Sequence, residues 1–225
     1  MIIGVVFGRL PIFKTMDKYK IIASGSDGNC EVALGHIMID CGVPFSLIKD
    51  VYKQLSIIVL THDHGDHFNL ATIKKLISLR PGLRIACGRH LAPMLIGIRN
   101  IDILELNQWY KYDTFYLSIG KLYHDVDNVF IRIQDLDNYK IFRATDSSTL
   151  EGISARDYDI YAIEHNYDEE TVWDIIREKE ARGEYAHQKG AINSHLSKQQ
   201  AQEFFYQNKK QGSILIPLHE SKSSL

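Results

Sequence analysis

Residues 61–67 read Thr-His-Asp-His-Gly-Asp-His and follow directly on the apolar run Ser56-Ile-Ile-Val-Leu60. His62, His64 and His67 bring imidazole nitrogens, and Asp66 a carboxylate. These are the usual donors to zinc, manganese or iron. A strand feeding a tight loop can point alternate side chains, His62 and His64, at one ion, while a turn at Gly65 aims Asp66 and His67 at a second. The competing reading is a solvated polar loop. Two ions about 3.5–4 Å apart have a definite chemistry: they lower the pKa of water from about 15.7 towards 7 and stabilise charge on a substrate oxygen. Such a pair suits hydrolysis of phosphodiesters, amides, thioesters and lactones, and the cluster by itself does not choose among them.

The elements that must position this cluster are short. Apolar runs bounded by turn residues predict strands over Lys18–Ala23, His36–Asp40 and Ser56–Leu60, with a helix near Phe45–Leu55. Leu70–Leu79 has helical period and stops before Pro81-Gly82. From 84 to 143 the chain reads mostly as strands: Arg84–Cys87, Ile101–Leu106, Thr114–Ile119, Val129–Ile133 and Lys140–Arg143. A strand over Asp159–Glu164, helices near Glu169–Ala181 and Ser197–Asn208, and a strand over Ser213–Leu218 complete the pattern. Helices and strands alternating around a β-rich middle indicate an α/β (α+β) protein with layered packing.

The pattern His-x-His-x-Asp-His after an apolar strand resembles the signature of the metallo-β-lactamase superfamily. That resemblance implies a four-layer αββα sandwich, with two central mixed sheets, helices outside and metals at one sheet edge. It also implies further ligands in a set order along the chain. His124 lies in the β-rich middle, Asp146 follows the strand Lys140–Arg143, and His219 caps the last strand. The implied arrangement is His62, His64 and His124 on one ion, Asp66, His67 and His219 on the other, and Asp146 shared. Zinc is the default metal for five imidazoles, with manganese or iron as alternatives. Alone, each distant residue is no more than a lone histidine or an aspartate in a turn; their joint order is what gives the set weight.

Three segments are similar to a narrower branch, the small bacterial and phage-type nucleases and phosphohydrolases, and more loosely to ribonuclease Z. Ala23-Ser-Gly-Ser-Asp-Gly-Asn-Cys30 is one. Its small residues would let backbone N–H groups cradle an oxyanion, with Ser24, Ser26 and Asn29 as substrate-binding residues, or it is an ordinary strand-to-strand turn. Ile163-Glu-His-Asn-Tyr-Asp168 is the second, where Glu164 would orient an imidazole by accepting its second N–H; His165 is read as no ligand. The third is Asn193-Ser-His-Leu-Ser-Lys-Gln-Gln-Ala201, in which Ser197 is the expected N-cap and Gln200 its capping-box partner. His195 would then stand ahead of a helix N-terminus and donate a proton to a leaving oxygen, against the alternative of a surface histidine beside a cap. Asp66, Glu164 and His195 form the expected catalytic set. The relatives often carry His-Leu-Ser at the last ligand, where this chain has His219-Glu-Ser221, and the charged insertion Thr171–Gln188 also departs from them. Both differences bear on substrate choice. His36, His90 and His187 have no assigned role.

The 225 residues carry a formal net charge of −2, so no global basic field exists to draw in a polyanion. Lys74-Lys75, Arg177-Glu-Lys179 and Lys209-Lys210 are either a rim for one or solvated helix faces. Trp109–Tyr116 is a run of aromatics that would stack bases or pack a strand. The 3 cysteines, Cys30, Cys41 and Cys87, have no zinc-knuckle spacing and read as reduced core thiols of a cytoplasmic protein. The apolar start of the chain is too short to span a bilayer and lacks signal-peptide features, so no membrane partner is expected. Residues 1–15 are an N-terminal extension without an assigned role, Met16 being an alternative start of translation. Residues 16–225 are expected to form a single domain.

The expectation is therefore metal-dependent phosphodiester hydrolysis by a dinuclear-metal hydroxide, with DNA or RNA as substrate and exonuclease action among its forms. The rival enzyme reading is hydrolysis of a small ester, lactone or thioester, indifferent to loss of His195. A third reading is a non-catalytic metal-binding scaffold, for which a full set of ligands has no use. No feature of the sequence names a protein partner.

Overall fold

The computed structural model describes residues 18–186 and 188–220. The expectations for residues 1–15, Met16, His187 and Ser221 lie outside them. Among the described residues, twelve strands form two six-stranded sheets in which spatial order follows chain order. The first comprises β1 (Tyr19–Ala23), β2 (Cys30–Ala33), β3 (Ile37–Ile39), β4 (Ile57–Leu60), β5 (Arg84–Gly88) and β6 (Ile101–Leu104). The second comprises β7 (Trp109–Lys111), β8 (Phe115–Tyr123), β9 (Asp127–Asp135), β10 (Lys140–Ala144), β11 (Ile160–Glu164) and β12 (Ile214–Leu218). Both are mixed: β1–β3 pair antiparallel and β3–β6 parallel, while β7–β10 pair antiparallel and β10–β12 parallel.

The inner strands β3 (Ile-Met-Ile) and β4 (Ile-Ile-Val-Leu) are apolar and buried at every position because their sheet is covered on both faces. In β4, Ile57 and Val59 face the second sheet, and the alternate residues Ile58 and Leu60 face outward. The inward set meets Leu117, Ile119, Ile131, Ile133, Ile141 and Ile160 in a core between the sheets. Outside the first sheet, α1 (Phe45–Ile48) and α2 (Leu70–Leu79) contribute Ile48, Ile73 and Leu76 to a second core. Outside the other sheet, α5 (Lys198–Asn208) lays Ala201, Phe204 and Phe205 on Phe142, Tyr161 and Ile163. The layers are thus α, β, β, α, as expected. Helices α3 (Val172–Ala181) and α4 (Gln188–Ser194) form a smaller cluster around Val172, Ile176 and Ala186. No helix among the described residues is long and apolar enough to cross a membrane.

Most predicted elements fall within a residue or two of the observed ones, and α2 ends where its pattern ends. One correction concerns Phe45–Leu55. That segment is a four-residue helix followed by a 3-10 turn, Tyr52–Gln54. Ile48, Val51 and Leu55 are buried at helical spacing, which is why the segment reads as one helix. Pro44 supplies no side-chain cap, however, and the chain bends to keep all three on the outer core. Strand β2 and helix α4 carry no clear periodicity; Glu31, buried in the middle of β2, breaks its apolar run. Within the aromatic run, Trp109–Lys111 is an edge strand on which Trp109 is exposed, while Tyr112 stacks on the buried Phe115 at 4.8 Å.

Candidate metal centre

Parallel neighbours end at the same edge of a sheet, and loops leaving their carboxyl ends meet there. Asp40 follows β3, His62 β4, His124 β8, Asp146 β10 and His219 β12, and Glu164 is the last residue of β11. Register locks the first two: β3 and β4 pair Ile39 with Val59, and the Thr61 N–H then donates to Asp40 Oδ1 at 2.9 Å.

His62, His64 and His124 point ligating nitrogens to within 4.8 Å of one another. His62 and His124 are each held through Nδ1, which fixes the tautomer and leaves a lone pair facing inward. The His62 Nδ1–H donates to Thr61 Oγ1 at 2.9 Å, and the His124 Nδ1–H to the Ser194 carbonyl at 3.0 Å. His64 Nδ1 faces His124 Nε2 at 3.4 Å, and its outer Nε2 lies 3.5 Å from Asp125 Oδ1. Asp66, His67 and His219 make a second trio within the same limit. There the His67 Nδ1–H donates to Asp40 Oδ2 at 2.7 Å, and the His219 Nδ1–H to Glu164 Oε1 at 3.0 Å. His219 Nε2 is left 3.4 Å from Asp66 Oδ2.

Asp146 stands between these groups. Its Oδ2 lies 2.9 Å from His67 Nε2, and its Oδ1 3.4 Å from His195 Nδ1 and 3.5 Å from His219 Nδ1. The Oδ2 contact lacks hydrogen-bond geometry, so this buried oxygen, like His62 Nε2, has no hydrogen-bond partner among the described residues. Buried polar atoms are rarely left so. A cation in each trio would satisfy both, and the donor set, imidazoles with carboxylates, suits divalent transition ions. The backbone is bent to reach this arrangement: Asp40, Asp146 and His219 have φ of 54°, 57° and 52°, a region that costs a non-glycine residue energy.

Charge in the site follows from burial and these contacts. Burial first, then positive charge on His67, pushes His62 down to about 3. Burial also works against charged His67, but Asp146 and Asp40 outweigh it and raise its pKa to about 9. His219 is raised well above the ordinary imidazole value, burial being outweighed mainly by Asp146. Asp146 lies well below the usual carboxylate range, since His67 and His219 more than offset its burial. Without metal, then, protons sit at His67 and His219 where a cation would otherwise neutralise Asp146.

His195 lies beside both trios. Its Nδ1–H donates to Glu164 Oε1 at 2.6 Å, and burial is outweighed by that carboxylate, so its pKa is raised. Glu164 Oε2 accepts from the Leu196 N–H at 3.1 Å, which fixes the start of α5; there Ser197 and Gln200 form the expected capping box. His195 and His219 border a cavity of about 690 Å³, and His124 borders another of about 660 Å³.

The Ser24–Asn29 loop acts at close quarters. Ser24 Oγ accepts the His219 N–H at 2.7 Å, and the Asn29 amide nitrogen lies 3.2 Å from Asp66 Oδ2 and 2.8 Å from His67 Nε2. Ser26 lines the cavity beside His219. His165 Nε2 is buried without a partner among the described residues and is in none of the candidate metal groups.

No family model matches the chain, and no curated protein sequence does. Solved structures do match. The metallo-β-lactamase fold protein YhfI from Bacillus subtilis superposes with a TM-score of 0.66 at 17% identity, over 90% of this chain and 85% of that one. The chain has the metallo-β-lactamase fold. Human tRNase Z, short form, matches with a TM-score of 0.59 at 15% identity, over 91% of this chain and 93% of its own. A long form RNase Z from yeast matches at 0.55 and 14% identity, the chain covering 88% of itself and 34% of that protein.

Within this metallo-β-lactamase fold, four residues the sequence reading left out surround the site. Asp40, fully buried, accepts from Thr61 and His67 and faces Arg143 Nη2 at 2.9 Å. Arg143 Nε lies 3.4 Å from Glu31 Oε2, so a buried charged chain crosses from β10 to the opposite sheet behind His67. Burial works against the Asp40 carboxylate, yet Arg143 and then His67 hold its pKa down at about 2. The usable signal was Asp40 itself, an acid closing the apolar strand Ile37–Ile39 ahead of Cys41-Gly42. The fourth, Asn166, places its amide nitrogen 3.3 Å from His219 Nδ1.

Proposed function

We propose that the chain is a metal-dependent phosphodiester hydrolase acting on DNA or RNA, with two divalent ions, zinc by default, held by His62, His64 and His124 and by Asp66, His67 and His219. Asp146 is their shared carboxylate. The observation that carries this reading is the pair of convergent trios about one buried carboxylate, with four of the five rings (His62, His67, His124 and His219) hydrogen-bonded through Nδ1 and His195 beside them. Bound there, such ions would activate water at neutral pH and offset negative charge on a phosphoryl oxygen. The chain's residues do the rest. Asp40, Thr61, Glu164 and the Ser194 carbonyl hold the imidazoles in one tautomer, and Asn29 and Ser24 fix Asp66 and His219. His195 holds a proton at Nε2, kept there by its hydrogen bond to Glu164, and delivers it to the leaving oxygen. The names of two structural neighbours, tRNase Z and RNase Z, favour a nucleic-acid substrate. A cytoplasmic setting fits the same reading, since all three cysteines are free and buried.

The test is the purified protein with Zn²⁺ or Mn²⁺ against end-labelled DNA, end-labelled RNA and an aryl phosphodiester. Cleavage of at least one, abolished in Asp146→Ala together with metal binding, is expected. Brisk lactone or thioester turnover with no phosphodiester cleavage would overturn the proposal.

A further inference from the structure

Thr171, Val172, Ile175, Lys179 and Gln188 of the charged insertion build one wall of the 690 Å³ cavity beside His195 and His219. The volume is in the range of sites for small ligands, about 300–1,000 Å³. Its lining divides by chemistry. Tyr167, Val172 and Ile175 present an aromatic and aliphatic surface, and Lys179 an ammonium group. Lys179 is only partly exposed and bonds the Gln188 amide oxygen at 3.3 Å; among the described residues it has no carboxylate within ion-pair distance. Its neighbours on α3 differ: Arg177 pairs with Asp174, and Arg182, just beyond the helix, pairs with Glu178. The two carboxylates on the cavity wall are Asp168 and Glu220, and Asp168 is already engaged by the Gln199 amide at 2.7 Å and by Lys198 at 3.5 Å.

A half-buried cation without an anion, an apolar ring-bearing wall and an opening onto His195 together suit a nucleotide. Phosphate takes the ammonium, and the base takes the tyrosine and aliphatic face. We propose that this cavity is the subsite for the nucleotide adjoining the scissile phosphate, with Lys179 bonding that nucleotide's own phosphate group and Tyr167 and Ile175 contacting its base. This assignment rests on the phosphodiesterase reading and adds to it the part of the molecule that distinguishes a polynucleotide from any other phosphodiester.

The experiment compares wild type, Lys179→Ala, Lys179→Arg and Ile175→Trp, each metal-loaded, on a short oligonucleotide and on an aryl phosphodiester too small to fill the cavity. Losing one charge-assisted contact is expected to raise KM for the oligonucleotide about tenfold in Lys179→Ala, with partial recovery in Lys179→Arg. Turnover of the aryl ester should stay within about twofold, because the metal trios are untouched. Filling the cavity in Ile175→Trp should act like Lys179→Ala. Unchanged KM for the oligonucleotide in every variant, or an equal loss on both substrates, overturns the subsite. A separate measurement covers the case in which wild type cleaves neither ester: calorimetric titration of the metal-free protein with AMP and with inorganic phosphate. AMP binding that weakens in Lys179→Ala supports the subsite even then, whereas no AMP binding at millimolar concentration, or AMP binding no tighter than phosphate, sinks it.

Discussion

At the scale of single residues, four of the five metal-facing imidazoles, those of His62, His67, His124 and His219, have a hydrogen-bond partner at Nδ1, and the partner explains the geometry. His195, outside the trios, is the informative case, because it faces both yet is held by Glu164 alone. If it donates a proton, His195→Ala should lower kcat by about 10²–10⁴-fold on a nucleic acid while metal content stays at the wild-type level. An aryl ester, whose leaving group departs without protonation, should lose far less. Equal losses on both substrates would assign His195 to positioning instead. Much of this scale was legible beforehand. His62, His64, Asp66 and His67 stand in one loop, so spacing alone reveals them. Glu164 was legible only through a resemblance, Asp40 only as an acid closing an apolar strand, and Arg143 not at all, because a buried ion pair leaves no local pattern that joins its two segments.

At the scale of elements, strand ends matter more than strands. The Thr61–His67 loop is clamped by two others: the Asn29 N–H donates to the Asp66 carbonyl at 2.6 Å, and the Cys41 N–H to the His67 carbonyl at 2.9 Å. The clamp closes only because Gly42 has no side chain, since a Cβ there would lie 1.7 Å from the Asp66 carbonyl oxygen. Gly42→Ala should therefore displace Asp66 and His67 and cost stability on the order of 1–3 kcal/mol by overpacking. Metal stoichiometry by elemental analysis should fall, with the second trio losing its ion first. A variant that binds the full complement and melts like wild type would show that the loop has slack. The sequence showed α2 through its period and the Pro81-Gly82 breaker, and α5 through its capping box. It showed β2 poorly, because Glu31 sits in it for the sake of Arg143 on the opposite sheet.

At the scale of the whole molecule, charge in the site is coupled to folding. Without metal, His67 has its pKa raised to about 9 from an ordinary value of 6.5. The folded state binds that proton more tightly than the unfolded chain, so its stabilising effect is complete below about pH 6.5 and is lost as pH rises through about 9. Glu31 adds a loss of the same sign at lower pH: burial lifts its carboxyl to about 7 from 4.5, and stability declines as pH rises between those values. Thermal midpoints of the chelated protein should therefore fall between about pH 6 and pH 9. Restoring zinc should shrink that fall, because a bound ion replaces the His67 proton and binds more tightly as pH rises. A chelated protein whose midpoint is flat or climbs over this range would contradict the role given to His67.

The order of elements, the layered class and the candidate ligands could be read from the chain alone, because period, turn chemistry and the clustering of three imidazoles are local properties. What only tertiary structure decided is which distant side chains share the site. His124, Asp146 and His219 meet the His62 loop because β8, β10 and β12 run in one direction, β8 and β10 through two successive antiparallel pairings and β10 and β12 through two parallel ones, so their carboxyl ends reach one edge, opposite those of β3 and β4. The charged chain through Arg143 and the cavity walled by α3 and α4 arise in the same way. Their parts lie far apart in sequence, and only the packing of one sheet on the other, with a helix pair at its margin, sets them side by side.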